Sequence, residues 1–149
     1  MNPRITKGVL VAVLGVAICG CDSITGVKVD IHTEQPIDAT CILKSREHLG
    51  PVSQIGKVPL DPHVKGELYM VRRDQARLEV TRHDEQPQTI TLSFGWDGPP
   101  TEQEEKDNIR LLGDFERAVF EACSLNRETT RVTRACSGKR VCREAGIKE

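Results

Sequence analysis

The sequence predicts an α+β domain: one antiparallel sheet with both helices on a single face, stapled by disulfides. Three observations carry this. Apolar and polar residues alternate in several short segments, a capping-box signal opens one long amphipathic stretch, and four of the six cysteines stand beyond residue 40.

The first strand is "GVKVDIHT", Gly26 to Thr33, where Val27, Val29 and Ile31 alternate with Lys28, Asp30 and His32. Pro36 and Asp38 open a short helix over "PIDATCILKSREHL", with Ile37, Cys41 and Leu49 along one side and Gly50-Pro51 as its stop. Four extended segments follow: 52–58, 67–73, 77–83 and 88–96. The last sets Ile90, Leu92, Phe94 and Trp96 against Thr89, Thr91, Ser93 and Gly95. The links "RRDQ" and "DEQPQ" are short, so these neighbours form an antiparallel meander.

After Pro99 and Pro100, Thr101 is followed three residues later by Glu104, the spacing of a capping box. A long helix therefore runs from Thr101 to Asn126, with Leu112, Phe115, Val119 and Cys123 as its apolar stripe. Trp96 is expected to pack against that helix. Glu102, Glu104, Glu105 and Asp107 read as acidic residues favoured by the helix dipole. Gly113 weakens the middle of the helix with no visible reason. A sheet that is polar on one face can leave it to solvent, which places both helices on the other.

The leader is a separate matter. Arg4 and Lys7 precede an apolar run, Gly8 to Ile18, that as a helix spans about 17 Å, short of the roughly 30 Å hydrocarbon core of a bilayer. A basic start, a short apolar run and small residues make a cleaved export signal. Its end, Ile18-Cys19-Gly20-Cys21, resembles the lipobox of bacterial lipoproteins. The resemblance implies cleavage after Gly20, lipidation of Cys21, and a chain held by its acyl groups in the cell envelope, facing the periplasm. Asp22 resembles an inner-membrane retention signal, and the choice between inner and outer membrane stays open. The organisation expected is a signal peptide over 1–20, a tether over 21–26, the α+β domain over 27–126, and a basic, disulfide-closed tail over 127–149.

With Cys19 removed and Cys21 acylated, Cys41, Cys123, Cys136 and Cys142 remain, an even set that in an exported protein reads as two disulfides. Three pairings are possible. Cys41 and Cys123 each fall on the inner stripe of a helix, so Cys41–Cys123 and Cys136–Cys142 is the expected pairing. No CxxC occurs, and "CSGKRVC" separates its thiols by five residues, which argues against a zinc site.

A formal charge of −1, or −3 once Arg4 and Lys7 leave, argues for no nucleic-acid partner. HExxH, GxSxG, SxxK, P-loop and GxGxxG motifs are missing, and nothing implies a cofactor. His32 and His83 fall on polar sides of strands, His48 near a helix end, and His63 in a turn. Ser45, Ser53 and Ser93 are the serines that a spatially assembled triad would draw on. The densest charge is in the tail, where Arg131, Arg134, Lys139 and Arg140 are expected to meet lipid head groups or an acidic envelope protein. Exchanging those four for Gln is then expected to leave stability nearly unchanged. The function expected is that of a non-catalytic binding domain anchored to a membrane through its lipid. The alternative is a carrier or sensor holding a small apolar ligand between sheet and helices, near Leu78, Leu92 and Phe115.

Overall fold

Alternation in β1 (Ile24–His32) buries Val27, Val29 and Ile31 and turns Lys28, Asp30 and His32 outward, the division its sequence requires. The computed structural model describes residues 24–148 except 51, 52, 61 and 64. The expected signal peptide and Cys21 lie outside the described residues. Five further strands are β2 (Gln54–Val58), β3 (Gly66–Arg73), β4 (Ala76–His83), β5 (Thr89–Asp97) and β6 (Arg131–Ser137). They form one six-stranded antiparallel sheet in the order β2-β3-β4-β5-β1-β6. The expected meander is its first four strands, and β1 returns to pair with β5.

The predicted first helix is two pieces, α1 (Ala39–Lys44) and α2 (Arg46–Leu49). Asp38 caps α1 by accepting from the Thr40 N–H at 2.9 Å. Ser45 separates the two, because its hydroxyl donates to the Ile42 carbonyl at 2.6 Å and competes with helix continuation. The capping box of α3 (Glu102–Ala122) is as read: Thr101 Oγ1 accepts from the Glu104 N–H at 3.2 Å, and Glu104 Oε2 accepts from the Thr101 N–H at 2.8 Å. The helix ends earlier than Asn126. Ser124 adopts φ 52°, and the Leu125 N–H reaches the Phe120 carbonyl at 2.9 Å, which closes the last turn.

Leu112, Phe115 and Val119 are buried as expected, joined by Leu111, Ala118 and Phe120. They share one core with Val29, Val71, Leu78 and Leu92 of the sheet, Ile42 of α1, and Val141 of α4 (Lys139–Glu144). All helices therefore lie on one face. Trp96 is half-buried and packs edge-on to Phe94, with ring centroids 5.1 Å apart. Gly66 lets β3 come close to β4, since a Cβ there would stand 2.3 Å from the Arg82 carbonyl oxygen.

The segment after Asn126 differs from its expectation as a tail outside the domain. It supplies β6, paired with β1 from Gly26↔Ser137 to His32↔Arg131, and α4, whose Val141 is fully buried. The physical reason is that an edge strand needs few apolar residues. Val132 and Cys136 turn inward with Arg134 between them, so no alternation announces the strand.

Both disulfides pair as expected. Cys41–Cys123 joins α1 to the end of α3 with Cα atoms 5.0 Å apart, and Cys136–Cys142 joins β6 to α4 with Cα atoms 5.5 Å apart.

Candidate binding surface

The four tail cations do not form one patch. Arg140 Nε donates to both carboxylate oxygens of Glu105, at 2.9 and 2.8 Å, and its Nη2 donates to the Pro100 carbonyl at 2.7 Å. Glu105 is 1% exposed, so this residue of the acidic first turn is a buried anchor and not a solvated dipole partner. Arg134 Nη2 donates to Glu116 Oε2 at 2.5 Å, on another buried carboxylate of α3. Arg127 lies 4.0 Å from the second Glu116 oxygen and stacks on Phe120.

Arg131 and Lys139 stay exposed, at opposite ends of β6. Six strand steps from Arg131 to Ser137 put about 20 Å between those ends. The expectation that all four exchange for Gln without loss of stability is corrected, because two of them neutralise buried carboxylates. Sequence offered no signal for either pair: a glutamate on an amphipathic helix looks the same whether it meets water or an arginine.

Among the described residues no helix covers the polar face of the sheet. His32 joins three strands there, with Nδ1 3.1 Å from Thr89 Oγ1 on β5 and Nε2 3.3 Å from Thr133 Oγ1 on β6. Thr91 donates to Asp30 at 2.6 Å, and Asp30 pairs with Lys28 at 3.0 Å. Lys28, Asp30, Thr89 and Thr91 line part of a shallow cleft of about 460 Å³ that also carries His32, His63 and His83. The histidines do not converge: among the described residues no cluster of three His, Cys, Asp or Glu side chains is placed to hold a metal ion.

The serines are dispersed as well. Ser45 donates to the Ile42 carbonyl and Ser53 to the Gly50 carbonyl, each within its own turn, while Ser93 sits on the open face opposite Lys28. His48 donates its backbone N–H to the Ser45 carbonyl at 3.1 Å, but its ring pairs with Glu121 at 3.1 Å and makes no hydrogen bond to a serine hydroxyl among the described residues. The arrangement offers hydrogen-bond donors, acceptors and charges along the outward face of the sheet.

At the inner rim of β3, Glu67 accepts from Lys57 Nζ at 2.7 Å and lies 3.5 Å from Arg82, whose Nε donates to the Ile37 carbonyl at 3.0 Å. This clip ties the loop before α1 to the sheet. The Lys57 bond holds the Glu67 carboxyl below the usual range. Burial, aided by Glu67, pushes Tyr69 up to about 12.

Leu78, Leu92 and Phe115 are fully buried in the common core, and none of them lines the clefts described here. Among the described residues no helix is long and apolar enough to cross a membrane. Compared with known proteins, the chain matches no family model and no curated sequence.

Proposed function

We propose that the protein is a membrane-anchored lipoprotein of the cell envelope, acylated at Cys21, whose stapled domain binds a partner and performs no catalysis. The observation that carries this reading is a distance along the chain. β1 begins at Ile24, three residues after the lipobox cysteine, so at most about 11 Å of chain separates the acylated residue from the sheet. A domain so tethered works within reach of the bilayer.

Two disulfides support an exported protein, since such bonds persist in oxidising compartments. The open sheet face, laced by His32, Thr89, Thr91 and Thr133, is the surface offered to an envelope partner. The carrier reading draws no support from the packing of Leu78, Leu92 and Phe115. The test is fractionation of cells expressing the Cys21→Ser variant beside the native chain. The native chain is expected in the detergent-soluble membrane fraction in processed form, and the variant as unprocessed precursor. A variant that keeps the native processed mass and still partitions into detergent would contradict the proposal.

A further inference from the structure

We propose that Arg72 and Arg77 form a phosphate-binding site for anionic phospholipid head groups. The proposal rests on the membrane-anchored reading above and names a contact the domain makes with that membrane. The register of β3 and β4 sets these two arginines directly opposite each other on the open face. Like charges so placed destabilise a sheet unless an anion lies between them.

The other arginines facing the core are neutralised: Arg73 by Asp114 at 2.6 Å, Arg82 by Glu67, Arg134 by Glu116 and Arg140 by Glu105. Arg72 and Arg77 are exposed, and neither is in an ion pair with a described carboxylate. Glu79 shares their face one pleat further along β4, opposite Met70. Arg46 and Arg72 line one cleft of about 480 Å³ at the free edge of β2, whose remaining lining includes Val58 and Met70. Arg77 does not line this cleft, but Arg72 borders both it and Arg77, so a phosphate held by the two arginines would lie beside apolar side chains.

Position selects the membrane as the source of that phosphate. Arg77 stands two residues before Glu79, which faces Ser93, and Gly95 lies two residues beyond Ser93, opposite Gly26. Arg72 and Arg77 therefore share the end of the sheet at which β1 begins. Three strand spacings separate β1 from β3, about 14 Å. A bilayer holding Cys21 lies next to that end, where each cation close to an anionic surface adds to association and salt weakens it.

Native mass spectrometry of the full chain in a neutral detergent tests this, with phosphatidylglycerol or phosphatidylcholine added at equal concentration. Phosphatidylglycerol adducts are expected to exceed phosphatidylcholine adducts roughly tenfold, and Arg72→Gln/Arg77→Gln is expected to abolish the difference. Arg72→Lys/Arg77→Lys retains most of it, and Arg131→Gln/Lys139→Gln retains all of it. Equal adducts of the two lipids, or a preference that survives the Gln pair, would overturn the proposal. So would displacement of the lipid by equimolar inorganic phosphate or by a Glu-rich peptide, which would assign the site to a free anion or to an acidic protein. The same spectra report the N-terminal mass. An unacylated chain that prefers phosphatidylglycerol counts against the anchor alone, and an acylated chain without preference counts against this site alone.

Discussion

Arg140 closes on Glu105 from α4 to α3, with Nε 2.9 and 2.8 Å from the two carboxylate oxygens, and so locks the C-terminal helix to the core. The pair is asymmetric: the Glu105 side chain is 2% exposed and that of Arg140 47%. Removing the arginine leaves a buried carboxylate without its counter-ion. Arg140→Ala is expected to lower stability by about 2 to 3 kcal/mol, at or below the lower end for a broken buried pair because water reaches one partner. Urea denaturation checks this, and Lys139→Ala, at an exposed neighbour, is expected to change little.

The two disulfides differ in the chain they close, 82 residues for Cys41–Cys123 and 6 for Cys136–Cys142. In the chain-entropy description these rings contribute about 4.5 and about 2 kcal/mol. Cys123→Ala is therefore expected to lower the melting temperature more than Cys142→Ala, by roughly 10 °C in calorimetry. Equal losses would assign the stability of the helix layer to packing alone.

Tyr69 is the single tyrosine, 1% exposed, with its hydroxyl pushed up from an ordinary value near 10 to about 12 by burial and by Glu67. An acid whose folded value is raised keeps its proton longer in the native state than in the unfolded chain. Its contribution is complete below pH 10 and is lost as pH rises from 10 to 12, at most about 2 to 3 kcal/mol. Near-ultraviolet absorbance is expected to show tyrosinate appearing together with unfolding in that window. Tyrosinate formed near pH 10 by a folded chain would contradict it.

Gly113 lies on the exposed side of α3, and a Cβ there would meet nothing within 4 Å. No close approach requires the glycine. Gly113→Ala is expected to stabilise by about 0.5 to 1 kcal/mol through helix propensity, read as a higher urea midpoint with an unchanged slope.

Periodicity made much of this fold legible, and its failures have physical causes. Val27, Val29 and Ile31, the 90–96 alternation, and the stripe through Leu112, Phe115 and Val119 each obey one clean period, because each packs one face on a shared core. β6 obeys none, since an edge strand with Arg134 between Val132 and Cys136 carries its inward charge to Glu116. The expected cationic patch failed for the same reason: its members Arg134 and Arg140 belong to buried pairs that need coordinates to be seen. The opposition of Arg72 and Arg77 depends on register, which a hairpin sequence leaves undetermined until the turn at Asp74 is fixed.

The proposed anchoring through Cys21 is tested most directly by the intact mass of the protein extracted from membranes. A chain starting at Cys21, with a diacylglycerol thioether and an amide-linked acyl group added to its mass, is the predicted result. A chain that retains residues 1–20, or one cleaved elsewhere with an unmodified Cys21, would contradict it.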